Sequence, residues 1–164
     1  MKKKLTGLVA ALSAVLFMLG TATPANAVPP SAAWQQIVTL QTGMCATAGG
    51  NGELIQYRCD NKRNKQFSSA WAGTDAYFLR VYSSFQCVAP SSAAEYANIV
   101  QVTCSNTDLQ VWEAEFQGND SYRLRNRATG MCLTVAWDVT ASGQPLNQSR
   151  CGAFAAQTWR FRNM

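Results

Sequence analysis

The sequence contains no histidine and few charged residues, which make up 14% of the chain. The absence of histidine excludes Ser-His-Asp and Cys-His nucleophilic sites, as well as imidazole ligands for a metal. The carboxylates offer no glycosidase pair, because the period of two of a β-strand turns Glu113 and Glu115 towards solvent. Asp120 and Asp138 stand in predicted turns. We therefore predict a protein that is not an enzyme and that needs neither a metal nor another cofactor.

Long apolar runs are also absent, apart from one near the N-terminus. This run covers residues 5–19, follows three lysines and ends shortly before Ala25-Asn26-Ala27. A basic start, a short apolar run and a small-x-small sequence are typical of a secretory signal peptide, and the run is short for a membrane span. We predict a signal peptide over residues 1–27 that is cleaved after Ala27, a secreted protein without a membrane span, a short extension over 28–33 and one domain over 34–164.

The net charge gives no indication of a nucleic-acid partner. Cleavage after Ala27 removes three lysines and so lowers the formal net charge from +5 to +2. Two basic clusters remain, at residues 58–65 and 123–127, but neither carries aromatic residues at a spacing that suits stacked bases. We interpret both clusters as solvated surface.

The six cysteines reveal a threefold repeat. They form three successive pairs with separations of 14, 17 and 19 residues, and a large aromatic residue stands eight positions after the second cysteine of each pair. These aromatic residues are Phe67, Trp112 and Trp159. The repeat length is about 45 residues, and three repeats fill the chain after the signal peptide.

Each repeat has the pattern of β-structure. Apolar residues come in short runs or alternate, for example at 54–57, 99–102 and 111–116, and glycine-rich or polar turns separate them. Three related units can share one core around a pseudo-threefold axis, with the recurring aromatic residues near that axis. Pairing within repeats treats the three units alike, and each such disulfide contributes about 3 kcal/mol in the chain-entropy estimate. The predicted disulfides are Cys45–Cys59, Cys87–Cys104 and Cys132–Cys151.

The ends of the repeats resemble a known family. Gln110-Val111-Trp112 and Gln157-Thr158-Trp159 are Gln-x-Trp motifs, and the first repeat has Lys65-Gln66-Phe67 at the same place. Repeats of this length with two cysteines and a closing Gln-x-Trp are similar to those of the ricin B-type lectin domain. The resemblance covers residues 34–164 and implies an all-β fold, the β-trefoil, in which Gln110, Trp112 and Trp159 also serve the core.

The resemblance also implies positions for a sugar site. The family uses an Asp two residues after the first cysteine, where charge-assisted hydrogen bonds hold sugar hydroxyls, and this sequence has Thr47, Ala89 and Thr134 there. The first repeat keeps Tyr57 at the position that stacks on the sugar and Asn64 at the amide position. The second repeat has Val102 and Leu109 at these two positions, and we predict no site in it.

The third repeat combines family positions with an unusual loop. It keeps Gln157, and Asn147 stands where a polar residue is often found in the family, beside Thr134 as a neutral acceptor. Trp137 and Asp138 follow in a polar, turn-rich loop, where an exposed Trp next to an Asp could rebuild a stacking platform and an acceptor. We predict a displaced sugar site at these residues.

Two functions remain open from the sequence. The first is a secreted carbohydrate-binding module with degenerate sites, which binds glycans or polysaccharides weakly and gains strength from multivalency. The second is a secreted targeting subunit or inhibitor that uses the same scaffold to contact another secreted protein. The loss of the family Asp from every repeat favours the second function, and the surviving site positions favour the first.

Overall fold

The computed structural model describes residues 29–164, which form twelve β-strands and four single-turn 3-10 helices. The strands are β1 (Gln35–Thr39), β2 (Cys45–Ala48), β3 (Leu54–Tyr57), β4 (Phe67–Gly73), β5 (Ala76–Val81), β6 (Cys87–Pro90), β7 (Ile99–Val102), β8 (Val111–Gly118), β9 (Ser121–Asn126), β10 (Cys132–Val135), β11 (Leu146–Ser149) and β12 (Trp159–Asn163). The 3-10 helices are Arg63–Lys65, Asp108–Gln110, Ala136–Asp138 and Ala155–Gln157.

The strands build a barrel with three hairpins at one end. Strands β1, β4, β5, β8, β9 and β12 pair antiparallel in a closed ring. The hairpins β2–β3, β6–β7 and β10–β11 each join the ring through a single register pair, and isolated bridges connect them to one another. This arrangement confirms the all-β, three-repeat β-trefoil that the sequence predicts.

The recurring aromatic residues lie in the core. Phe67, Trp112 and Trp159 are at most 1% exposed, so their burial supplies a large share of the apolar stabilisation. The indole N–H of Trp112 donates to the carbonyl oxygen of Val88 at 2.9 Å, and that of Trp159 donates to Leu133 at 3.0 Å. Each tryptophan therefore ties its barrel strand to the hairpin of the same repeat.

The three disulfides confirm the predicted pairing within repeats. They join Cys45 to Cys59, Cys87 to Cys104 and Cys132 to Cys151. Each disulfide links the start of a hairpin to the loop that follows the hairpin, in the same way in every repeat.

Three glutamines link neighbouring repeats. Gln56 and Gln148 are fully buried, and Gln101 is partly buried at the equivalent strand position. Each donates its side-chain amide to backbone carbonyls of a loop in another repeat: Gln56 to residues 139 and 141, Gln101 to residue 49, and Gln148 to residues 92 and 94. The loops therefore take their paths from contacts between repeats.

The N-terminal predictions fall partly outside the described residues. The signal peptide over 1–27 and Val28 of the extension lie outside them, so that cleavage after Ala27 and secretion stay predictions. Within the rest of the extension, Pro29 accepts a hydrogen bond from the Gln35 side chain at 3.0 Å, and Ser31 accepts one from the Ser69 backbone at 2.7 Å. Among residues 29–164, no helix has the length and apolar character needed to cross a bilayer.

Candidate functional site

The third repeat carries a pocket of about 400 Å³ beside the β10–β11 hairpin. Its lining residues are Tyr96, Thr134, Trp137, Asp138, Asn147, Ser149, Phe154, Ala156 and Gln157. Five of them are the third-repeat residues that the sequence singles out, namely Thr134, Trp137, Asp138, Asn147 and Gln157. The fold therefore brings these five residues together at one concave surface, which we call the third-repeat pocket.

The floor of the pocket is a directed chain of hydrogen bonds. The Gln157 Nε2 donates to Ser149 Oγ at 2.8 Å, and the Ser149 and Thr134 hydroxyls lie 2.9 Å apart. Thr134 Oγ1 donates to the carbonyl oxygen of Cys132 at 2.9 Å, so Ser149 supplies the proton that it shares with Thr134. Both hydroxyl hydrogens are used within the protein, so these two hydroxyl groups offer hydrogen-bond acceptors to a ligand.

Asn147 adds an unpartnered group to this floor. It lies directly opposite Thr134 in the β10–β11 pairing and is only 3% exposed. Its Oδ1 is buried and has no hydrogen-bond partner within the part of the chain that the structure describes. Leaving such an acceptor unpaired costs about 1–3 kcal/mol, and the same side chain carries two N–H donors, so Asn147 brings both an acceptor and donors to the floor.

Trp137 and Asp138 form one rim of the pocket. Both residues have left-handed backbone conformations, with φ of 55° at each, which is rare for a side chain as large as that of Trp. The Trp137 side chain is 76% exposed. Gln41, from the first repeat, donates its amide to the Asp138 carbonyl oxygen at 3.1 Å and to the Asp138 carboxylate. The first repeat thus holds this rim in place.

Tyr96 forms the opposite rim and comes from the second repeat. Its backbone N–H donates to the carbonyl oxygen of Gln148 at 2.8 Å, and the Gln148 N–H donates to Ala97 at 3.1 Å. These bonds dock the loop over residues 91–97 on β11 and leave the Tyr96 ring 63% exposed. Tyr96 is not recognisable as a site residue from the sequence, since its role depends on contact between repeats.

Phe154 is the third exposed aromatic residue at the pocket, and it too is not recognisable as a site residue from the sequence. Its side chain is 59% exposed, and its ring lies so close to Gly152 that a Cβ atom at residue 152 would be 2.4 Å from the ring. Gly152 therefore allows the Phe154 ring to lie against the backbone of the disulfide loop.

Gln157 lines the pocket, but its polar side-chain atoms form hydrogen bonds within the protein. Its Nε2 donates to Arg150 and Ser149, and its Oε1 accepts from the Gly152 N–H at 2.9 Å. Gln110 makes the equivalent bonds in the second repeat, to Thr103 and from Ser105. In both repeats the glutamine of the Gln-x-Trp motif therefore holds the loop after the second cysteine by hydrogen bonds. Gln157 influences the pocket through its hydrogen bond to Ser149.

Comparison with known proteins decides the family. A model described as the ricin-type beta-trefoil lectin domain matches residues 33–159, which is most of the chain. The chain belongs to this lectin-domain family. A search of curated proteins found no match to the sequence.

Solved structures share the fold of this lectin domain at low sequence identity. The designed threefold-symmetric protein ThreeFoil superposes with a TM-score of 0.77 at 24% identity, over 80% of this chain and 99% of that one. The ricin B-like lectin of Macrolepiota procera, solved with lactose, superposes with a TM-score of 0.73 at 21% identity, over 82% and 97%. An exo-beta-1,3-galactanase from Clostridium thermocellum gives 0.77 at 15% identity, over 83% of this chain and 31% of that enzyme.

In the first repeat of the lectin domain, the three residues singled out from the sequence do not meet in one pocket. Thr47 is 4% exposed and donates to the Cys45 carbonyl at 3.1 Å. Asn64 donates to the Ala48 carbonyl at 3.0 Å and lines a pocket with the glycine-rich loop, whereas Tyr57 lines a separate pocket with Met44 and Arg58. The family positions are present, but their side chains point to different places.

A lysine side chain of the protein lies over the ring of Tyr57. The Lys65 ammonium lies 5.3 Å from the centre of the ring and donates to the Asp60 carboxylate at 2.7 Å. This hydrogen bond holds the pKa of Asp60 below its ordinary value of 3.8. A cation of the protein thus lies over the ring on which a sugar would stack.

One sequence signal would have revealed the links between repeats. Gln56, Gln101 and Gln148 each stand three residues before the second cysteine of their repeat. A residue that recurs at a fixed offset in every repeat indicates a shared structural role. No comparable signal marks Tyr96 or Phe154, since neither has an aromatic counterpart at the same place in the other repeats.

Proposed function

We propose that this chain is a secreted carbohydrate-binding module and that its third-repeat pocket is the site that binds glycan. The observation that carries the proposal is the pocket itself, in which three exposed aromatic rings surround a polar floor that includes the orphaned Asn147 Oδ1. Aromatic faces suit the apolar faces of sugar rings, and the hydroxyl and amide groups of the floor suit sugar hydroxyls. The lactose complex of the Macrolepiota procera lectin, which has the same fold, supports this class of ligand.

We infer that the other two repeats are degenerate. In the first repeat, Lys65 lies over Tyr57 and the polar residues are engaged elsewhere. In the second repeat, Ala89 faces Val100 at the positions that Thr134 and Asn147 occupy in the third. One neutral site of this kind gives an affinity in the millimolar to high micromolar range, about 4–6 kcal/mol, so that strong retention needs multivalent display.

The pocket supports binding rather than catalysis. Asp138 is the one carboxylate among its nine lining residues, whereas glycoside hydrolysis generally uses two carboxyl groups that flank the scissile bond. We therefore propose that the protein contributes glycan recognition, by itself or beside a separate catalytic partner.

A second function, contact with another secreted protein, is favoured by aromatic residues outside the pocket. Trp71 and Phe116 occupy equivalent positions, four residues after Phe67 and Trp112, and their side chains are 75% and 58% exposed. Exposed aromatic residues are common at the centres of protein interfaces. This function predicts a partner that co-purifies from culture fluid and that a Trp71→Ala, Phe116→Ala double variant fails to retain.

The experiment for the proposed function is glycan retention by single-site variants. The oxidised protein, displayed multivalently, is screened on a panel of polysaccharides and oligosaccharides beside Trp137→Ala and Trp71→Ala variants. Both variants remove a tryptophan of nearly equal exposure, and only Trp137 lines the pocket. We expect Trp137→Ala to weaken retention at least about tenfold, which is about 1.4 kcal/mol, and Trp71→Ala to keep it.

A Tyr57→Ala variant completes the set by testing the first repeat. Retention that survives Trp137→Ala but is lost in Tyr57→Ala would move the site to the first repeat. If the intact protein bound no glycan of the panel, the result would contradict glycan binding and leave the protein-contact function.

A further inference from the structure

We propose that the third-repeat pocket selects glycans that carry a protonated amine, such as oligomers of an unacetylated hexosamine. This inference rests on the proposed glycan binding and adds the chemical class of the ligand. Its basis is the combination of one carboxylate, three aromatic faces and several hydrogen-bond acceptors on the floor, in a pocket that has no basic residue among its lining.

The floor determines which ligand groups it can partner. The protons of Ser149 and Thr134 are directed along the chain that ends at Cys132, and both amide hydrogen bonds of Gln157 stay within the protein. The floor offers the remaining lone pairs of the two hydroxyls, beside the Asn147 side chain with its orphaned Oδ1 and its amide N–H donors. An ammonium group has three donors and no acceptor, so it can engage several acceptors at once, whereas an acetamide offers a single N–H donor beside its carbonyl.

The rims favour a positive charge. Trp137, Tyr96 and Phe154 expose their rings at the pocket, and aromatic faces attract cations through the ring quadrupole. Asp138 stands beside Trp137 and holds a carboxylate at the same rim, with Oδ1 in contact with the Gln41 amide. A hydrogen bond between two ionised groups is roughly twice as strong as a neutral one.

The charged residues around the pocket leave this preference in place. Arg150 and Glu95, which flank lining residues, form an ion pair at 3.5 Å, and as a pair they are neutral. Asp138 is the one charged residue among those that line the pocket. The formal charge predicted for the processed chain is +2, which opposes unspecific attraction of a cationic oligomer.

A hexosamine suits the pocket better than an isolated amine. Its ring supplies an apolar face for stacking and hydroxyl donors for the floor, in addition to the ammonium group. The pocket volume of about 400 Å³ is that of a small-ligand site and accommodates one such ring with its neighbours.

The test compares two matched oligosaccharides by isothermal titration calorimetry: a β-1,4-linked glucosamine oligomer and its fully N-acetylated counterpart of equal length. The oxidised protein is titrated at a pH of about 5.5, below the reference pKa of an amine, so that the amino groups of the ligand are charged. We expect the unacetylated oligomer to bind about tenfold more tightly. Asp138→Asn should lower this ratio to about threefold or less, whereas Asp108→Asn, which removes an exposed carboxylate of the second repeat, should keep it.

The outcomes separate this inference from the proposed function. Equal affinities, or tighter binding of the N-acetylated oligomer, would overturn the amine selectivity, and glycan binding would stand if Trp137→Ala still weakened it. A tenfold ratio that Asp138→Asn leaves unchanged would overturn the assignment to the carboxylate. Failure of both oligomers and of every panel glycan to bind would overturn the proposed function together with this inference.

Discussion

The ammonium group of Lys65 donates a hydrogen bond of 2.7 Å to Oδ2 of Asp60, in the place where the other repeats use a glutamine to hold the backbone. In the second repeat Gln110 accepts from the Ser105 N–H, and in the third Gln157 accepts from the Gly152 N–H. The three pairs have the same separation of five residues. In the first repeat, an ion pair between two side chains therefore takes the place of the hydrogen bond between backbone and side chain.

The stability that this Lys65–Asp60 ion pair contributes should depend on pH. The Lys65 side chain is only 4% exposed, so loss of its anionic partner leaves a poorly hydrated charge. The folded-state pKa of Asp60 lies below its ordinary value of 3.8, chiefly because of the hydrogen bond from Lys65. A carboxyl with a lowered folded-state pKa stabilises the fold above its unfolded-state pKa, and this contribution is lost as the pH falls through the folded-state pKa.

Asp60→Asn should therefore lower the free energy of unfolding near neutral pH, and the difference from the native protein should shrink as the solution is made strongly acidic. Urea unfolding followed by tryptophan fluorescence over this pH range measures it. The control is Asp108→Asn, whose carboxylate is exposed and forms no ion pair within residues 29–164. A deficit for Asp60→Asn that persists at low pH would contradict the ion-pair explanation.

Much of the fold was predictable because more than one feature of the sequence marks the three repeats. The cysteine spacings and the aromatic residues eight positions later both mark the same three units, and a shared core needs an apolar residue at Phe67, Trp112 and Trp159 alike. Strand patterns supplied the rest: β3 alternates between more and less buried residues, whereas β2, β6 and β10 are short strands that are buried throughout.

The pocket was predictable only in its third-repeat half. Residues close in sequence to the third disulfide, such as Trp137 and Asn147, follow from family positions and from a Trp in a polar loop. Tyr96 could not be found in this way, because its loop runs from another repeat and takes its path from Gln148. In the first repeat, matching positions one by one missed the ion pair of Lys65, which covers Tyr57.

The dependence of Tyr96 on Gln148 makes a direct prediction. The buried Gln148 side chain donates to Ser92 at 3.0 Å and Ala94 at 2.8 Å, and it accepts from Thr129 at 2.8 Å. Gln148→Leu removes all three bonds, so we expect a loss of about 1–3 kcal/mol in the free energy of unfolding and a several-fold loss of glycan affinity as the Tyr96 loop loosens.

The matched control is Gln101→Leu. Gln101 donates one bond of 3.3 Å to the loop at Gly49 and accepts one of 2.7 Å from the exposed Ser84 hydroxyl, and the loop at Gly49 does not line the third-repeat pocket. We expect a loss of about 1 kcal/mol or less and unchanged glycan affinity. Chemical denaturation and titration calorimetry on the two variants would test the pair, and equal affinity losses would show that Gln148 has no specific role in placing Tyr96.

The contact between Gly152 and Phe154 allows the apolar part of the pocket to be tested alone. A methyl group at residue 152 would overlap the Phe154 ring, so Gly152→Ala should push the ring aside and lower glycan affinity about as far as Phe154→Ala does. The polar floor keeps its composition in both variants. Gly50→Ala is the control, because a Cβ atom there meets no other atom within 4 Å. Native affinity in Gly152→Ala would mean that the ring contributes nothing to binding.

The left-handed conformation of Trp137 predicts a conflict between stability and binding. With φ at 55° and ψ at 21°, residue 137 suits glycine better than any residue with a side chain, by roughly 1 kcal/mol. Trp137→Gly and Trp137→Ala both remove the ring and should lose glycan binding equally, but the glycine variant should unfold at the higher denaturant concentration. Phe154, with φ of −97°, should show the opposite order, with alanine the more stable replacement. If the alanine variant were the more stable at residue 137 as well, the backbone would carry no strain there. A role in binding would then not be needed to explain why an exposed tryptophan stands at this position.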